Sequence, residues 1–144
     1  MKNVVVEAWR EWASPARVLR TRELVRSVHN EYPDKVAVLV RVMAGCGAPD
    51  PRALRSFSRF LHEVENEVQG VAVVLEGDGF WAASMRAIVS SVTLMTRSGP
   101  PLRVYGDLRE ASEAICDLLG EGGSALVSAE SLVRAATELG VPEG

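Results

Sequence analysis

The sequence contains few of the residues from which metal centres and disulfide frameworks are built. It has two cysteines and two histidines in 144 residues. Cys46 and Cys116 lie far apart, and neither belongs to a Cys-x-x-Cys or Cys/His ligand spacing. We therefore expect neither a structural disulfide nor a metal site.

Long hydrophobic runs are also missing. No apolar stretch reaches the ~18 to 20 residues that a membrane-spanning helix needs, and Glu7 interrupts the first apolar stretch too early for a signal peptide. We expect a cytoplasmic protein with no membrane insertion. A content of 47% hydrophobic and 24% charged residues is that of a globular chain. A length of 144 residues predicts one domain over residues 1–144.

A strong positive charge is a third absence. The formal net charge is −3, which argues against a duplex-binding protein. Five arginines lie near Trp9 and Trp12 and could attract nucleic acid or an acidic protein, but four glutamates, Glu7, Glu11, Glu23 and Glu31, dilute their charge. We expect a solvated helix face and no nucleic-acid partner. The arginines are Arg10, Arg17, Arg20, Arg22 and Arg26.

Short β-branched runs alternate with longer segments of helical period, which is typical of βαβ units. The expected fold class is α/β, with a mixed or mostly parallel sheet of four to five strands and helices on both faces. The first strand has room to continue to Trp12. The predicted strands are Val4 to Trp9, Lys35 to Val42, Gly70 to Glu76 and Leu102 to Tyr105.

Recognisable end signals mark four of the predicted helices. Pro15 can open the first, and Asp50 can cap a second that runs to Val68. Asp107 can cap the fourth, and Ser128 an additional C-terminal helix over about residues 128–140. Gly120 can end the fourth helix, whose side chains Leu108, Ala111, Ile115 and Leu118 are expected to face inward.

The third predicted helix, from about Gly79 to Arg97, is apolar on two faces. One face packs on the sheet, so the second must meet either the C-terminal helix or another chain. If another chain covers it, a homodimer is the simplest closed arrangement. The expected partner or dimer interface is Phe80, Ala83, Ser84, Ala87, Ser91 and Leu94.

The order of elements over about residues 35–119 resembles the STAS-like family, which includes bacterial anti-sigma-factor antagonists. The most telling stretch is a strand followed by Asp107-Leu-Arg-Glu-Ala-Ser-Glu-Ala. The resemblance implies a phosphorylatable Ser or Thr at the entry to the second helix. That entry, Gly45-Cys46-Gly47-Ala48-Pro49-Asp50-Pro51, has no hydroxyl. Asp50 is either a permanent negative charge at this helix N-terminus or simply a helix cap.

Motifs for catalysis are largely absent. Gly77-Asp78-Gly79 follows the third strand, but it lacks the third glycine of a dinucleotide fingerprint and the Lys-Ser/Thr of a P-loop. We therefore expect Asp78 to cap a helix and no cofactor to bind. Cys46 follows a strand between two glycines, where a nucleophile could lie, but a partner base is missing.

These observations favour a non-enzymatic bacterial regulatory or adaptor domain that acts by protein–protein interaction. Cys46, Asp50 and Asp78 are the candidate residues of its functional loops. The alternative is a carrier of a small apolar ligand or a lipid, with its pocket under the third helix.

Overall fold

The computed structural model describes residues 3–12, 14–33, 36–43, 46, 50–75, 83–88, 90, 101–120 and 128–140. The strands are β1 (Val4–Trp9), β2 (Ala37–Val42), β3 (Gly70–Leu75) and β4 (Leu102–Tyr105). The helices are α1 (Pro15–Glu31), α2 (Pro51–Glu63), α3 (residues 83–88), α4 (Leu108–Gly120) and α5 (Ala129–Gly140).

Within the described residues the sheet has four strands in the order β1-β2-β3-β4, and every neighbouring pair is parallel. This confirms the predicted α/β class and the expected sheet of mainly parallel strands, which here is parallel throughout. All four strands begin and end within about two residues of the predicted bounds. Lys35 and Glu76, the predicted ends of two strands, lie outside the described residues.

The two central strands are apolar and buried along most of their length. All six residues of β3 are buried, and in β2 only Arg41 is partly exposed. Continuous burial of this kind requires helices on both faces of the sheet. Burial also explains why the runs from Val36 to Val40 and from Val71 to Leu75 contain no charged residue.

The helices form one layer on each face of the sheet. Alternate strand residues pack with α1, α2 and the side chains of Met85 and Ile88 from α3. The other strand residues pack with α4 and α5, whose contributions include Ile115 and Leu132. On this second face α5 covers β1, while α4 lies mainly over β2 and β3.

Helix caps occur where the sequence predicts them. The Asp50 carboxylate accepts a hydrogen bond of 2.7 Å from the backbone N–H of Ala53, and the Ser128 hydroxyl accepts one of 3.2 Å from Ser131 N–H. The Asp107 carboxylate accepts a hydrogen bond of 3.1 Å from the backbone N–H of Arg109, in the first turn of α4. Each bond satisfies a donor that the first turn of a helix leaves without an intrahelical partner.

The first strand and the second helix both end earlier in the structure than the sequence allows. β1 does not continue to Trp12, because its partner strand β2 ends at Val42, which is paired with Trp9. The second helix ends at Glu63 rather than Val68, and residues 64–67 form turns. Val64 and Val68 nevertheless remain buried, so the predicted apolar stripe reaches the core.

Candidate functional site

The carboxyl ends of β1 and β2 are filled with aromatic side chains. Trp9 is 2% exposed and makes edge-to-face contacts with Trp12 and Phe57, at ring-centroid distances of 6.1 and 5.9 Å. Ligands of open α/β sheets bind beyond this edge. Because Trp9 lies in the core, it cannot serve as a surface on which nucleic-acid bases stack.

A carboxylate ties the end of β1 to α1. Glu7 accepts hydrogen bonds from the Trp9 indole N–H at 2.6 Å and from the Thr21 hydroxyl at 2.7 Å. The Arg17 guanidinium donates to the carbonyl of Ala8 at 3.3 Å. With both carboxylate oxygens of Glu7 engaged, this cluster has a structural role.

Cys46, the predicted candidate nucleophile, is buried in the core on the α1–α2 face. Burial, followed by the nearby Glu11 carboxylate, raises the pKa of the Cys46 thiol above its ordinary value. The side chain is therefore protonated at neutral pH, whereas the reactive form of cysteine is the thiolate. Cys46 is therefore a packing residue in this structure.

The other two predicted loop residues are Asp50 and Asp78, of which the structure describes Asp50. Asp50 is exposed and caps α2, as the helix-cap alternative predicts. Asp78 lies outside the described residues. Cys116 packs against the α4–α5 side of the sheet, opposite Cys46, so the two thiols are on different faces and cannot form a disulfide with each other.

The predicted interface on the third helix is described at three of its six positions. Ala83 and Ala87 are exposed, and Ser84 is partly buried. Phe80, Ser91 and Leu94 lie outside the described residues. At the described positions of the strip the C-terminal helix is not the cover, because α5 packs on the opposite face of the sheet from Met85 and Ile88 of the same helix.

An open cleft lies between α4 and β4. Its volume is about 410 Å³, which is within the size range of ligand-binding pockets. Apolar residues of β3 form the floor of the cleft, and residues of β4 and of one side of α4 form its walls. The lining residues are Gly70, Val71, Ala72, Pro101, Arg103, Tyr105, Ala114, Ile115, Asp117 and Leu118.

The cleft results from the placement of α4. Because this helix lies mainly over β2 and β3, the side chains of β4 on this face, Arg103 and Tyr105, are only partly covered. Gly70 allows α4 to approach closely, since a Cβ atom there would lie 2.6 Å from Cδ2 of Leu118. The close approach fixes Leu118 at the rim of the cleft.

The prediction that Leu118 faces inward is wrong. It is 39% exposed, whereas its neighbour Leu119 is 6% exposed and belongs to the core. The buried stripe of α4 runs through Leu108, Ala111 and Ile115 and continues at Leu119. Helical spacing allows position 118 or 119 to follow Ile115, and the position of the sheet decides between them.

None of the lining residues could be assigned to a cleft from the sequence, and Ile115 and Leu118 were expected in the core. One signal was available. A glycine at the start of a buried strand, here Gly70, indicates the close approach of another element. The sequence does not show which element approaches, so Arg103 and Tyr105 could not be assigned to a shared surface.

The cleft lining carries three polar side chains of different chemistry. It offers a guanidinium on Arg103, a phenol on Tyr105 and a carboxylate on Asp117, which together can donate and accept hydrogen bonds. Among the described residues, no group of three or more His, Cys, Asp or Glu side chains could hold a metal ion.

Two arginines of the first helix, Arg22 and Arg26, form ion pairs with glutamates. Arg22 forms an ion pair of 2.7 Å with Glu63 of α2, and Arg26 lies 3.8 Å from Glu67. The first pair joins α1 to α2 and the second joins α1 to the turn that follows α2, and both neutralise part of the charge that could attract a nucleic acid.

No helix in the described part of the chain combines the length and the apolar character needed to cross a bilayer. The chain matches no family model, and no curated protein or solved structure is similar to it.

Proposed function

We propose that this protein is a non-enzymatic regulatory or adaptor domain of the bacterial cytoplasm that acts by binding another protein. The observation that carries the proposal is the cleft between α4 and β4, which combines an apolar floor with the edge of the sheet. The STAS-like resemblance supports the proposal, because members of that family include regulators that bind other proteins.

The cleft has the features of a recognition surface for a protein chain. Leu118 is an exposed apolar side chain at its rim, while Arg103 and Asp117 place opposite charges on its two walls. Apolar contact area combined with polar and charged groups is the usual composition of protein interfaces. The cleft lies on the opposite face of the sheet from α3, so it is a different site from the carrier pocket that the sequence suggested.

Affinity purification with paired variants tests the proposal. Leu118→Arg puts a charge at the cleft rim, and Leu139→Arg is its matched control, because Leu139 is 52% exposed on α5 and is absent from the cleft lining. A specific partner should co-purify with the wild type and the Leu139 variant but not with the Leu118 variant. Equal recovery with both variants contradicts the proposal.

Native mass spectrometry separates the adaptor from the carrier. An adaptor should carry no small molecule after purification. A bound apolar compound of defined mass would support the carrier instead, and the effect of Leu118→Arg on its retention would show whether it occupies the cleft.

We further propose that the strip on α3 is a contact between two copies of the chain. Its support is the exposure of Ala83 and Ala87 and the placement of α5 on the other face. Ala87→Glu should then give a folded monomer in light scattering, from a wild type that is a dimer. A monomeric wild type at high protein concentration contradicts the dimer but leaves the cleft proposal intact.

A further inference from the structure

The backbone of β4 directs hydrogen-bonding groups away from the sheet. The N–H of Val71 donates to the carbonyl of Pro101 at 2.9 Å, and Val71 is the parallel partner of Leu102. In a parallel ladder the residue directly opposite turns its own N–H and C=O to the other side. The main-chain groups of Leu102 and Val104 therefore point outward, and within the described part of the chain no strand pairs with that side.

The side chains of β4 alternate between the two faces. Leu102 and Val104 pack against the core on the α1–α2 face, whereas Arg103 and Tyr105 lie on the face of the cleft. Arg103 is exposed. A strand added beyond β4 would consequently place alternate side chains beside Arg103 and Tyr105, at the open side of the cleft.

A second copy of the chain is a poor occupant of this edge. Two edge strands related by a twofold axis pair antiparallel. In the register that pairs Leu102 of each copy with Val104 of the other, Arg103 lies opposite Arg103 of the other copy. Residues at such a position are about 4.5 Å apart between Cα atoms, and like charges directly opposite one another are destabilising. An arginine here discourages self-pairing in the way that charged residues protect many edge strands.

We propose that β4 is a docking edge to which an extended segment of another protein adds a fifth strand, with an Asp or Glu side chain opposite Arg103. A residue two positions away in that segment lies opposite Tyr105, where an apolar or aromatic side chain packs on the phenol ring. The inference rests on the proposed protein-binding function and specifies how the partner is recognised. Main-chain hydrogen bonds hold such a segment, and its alternate side chains provide specificity.

Two synthetic peptides test this mode of binding. Each is a blocked ten-residue chain of alternating Thr and Val, and they differ only in one central residue, which is Glu in one and Lys in the other. Titration followed by backbone NMR should shift the amide resonances of Leu102 and Val104. The Glu peptide should bind roughly two- to five-fold more tightly than the Lys peptide, the effect of one cross-strand charge pair.

Two variants make the test specific. Arg103→Glu, at an exposed position, should reverse the preference between the peptides. Val104→Pro removes an outward N–H and should abolish the binding of both, because proline is accepted on an edge strand but cannot donate there. Circular dichroism shows whether the Val104 variant folds, and the Arg103 variant decides the matter if it does not. Unchanged preference in Arg103→Glu, or no shift at Leu102 and Val104 at millimolar peptide, overturns the inference.

Failure of this inference can be told apart from failure of the proposed function. A partner that requires Leu118 but is retained by Arg103→Glu and Val104→Pro would show that the cleft binds a protein without strand addition. Peptide binding at β4 in a chain with no cellular partner would instead leave the docking edge standing and overturn the adaptor function.

Discussion

Gly70 and Leu118 should be energetically coupled, because one position leaves room for the other. In Gly70→Ala the new Cβ would lie 2.6 Å from Cδ2 of Leu118, well inside contact distance, while its next neighbour, the carbonyl oxygen of Pro101, is at an ordinary 3.7 Å. Overpacking of this kind costs about 1–3 kcal/mol. We expect the low end, since Leu118 is 39% exposed and can turn toward solvent.

The same substitution should change sign when Leu118 is truncated. In a Leu118→Ala background the clash is gone, and alanine in a strand is more favourable than glycine by about 0.5–1 kcal/mol. Urea unfolding of the wild type, both single variants and the double variant should give a coupling of about 1–2 kcal/mol. The reasoning is refuted if Gly70→Ala has the same effect on the free energy of unfolding in both backgrounds.

Three further predictions concern the core and the α1–α2 contact. Thr21→Val removes a donor to Glu7 and should lower the free energy of unfolding by about 1 kcal/mol in urea denaturation; a neutral effect would show that the bond has no net value. A double-mutant cycle on Arg22 and Glu63, whose side chains are 25% and 31% exposed, should give a coupling below about 1 kcal/mol that decreases with added salt. Burial raises the pKa of the Cys46 thiol in the folded state above its ordinary value, so the stabilisation from the neutral thiol is fully present below the ordinary thiol pKa and is lost as the pH rises through the folded-state pKa. Comparison with Cys46→Ala should therefore show a steeper alkaline loss of stability in the wild type, and equal slopes would contradict the assignment.

The strands and helix caps could be predicted because their signals are local. The buried runs of β2 and β3 contain only apolar residues, and Asp50 and Ser128 precede helices at cap spacing. These features depend on neighbouring residues along the chain. The sequence also predicted an α/β sheet, since alternating short strands and longer helices imply parallel pairing.

The cleft could not be predicted because it depends on how far α4 reaches across the sheet. Helical periodicity gave Leu108, Ala111 and Ile115 as inward positions, but it could not choose between Leu118 and Leu119. That choice follows from the register of the helix over β3, which no local pattern specifies. Glycine at position 70 signalled a close contact without identifying its partner.

Site-specific photo-cross-linking shows whether another protein occupies the cleft between α4 and β4. A photoreactive phenylalanine analogue is placed at position 118 in the cleft and, as the control, at position 139 on α5, both of which are exposed leucines in the native chain. After irradiation of living cells, we expect a discrete cross-linked product with one other protein from position 118 and none from position 139. The same pattern from both positions, or no product from position 118 while the partner co-purifies, would contradict the proposed function.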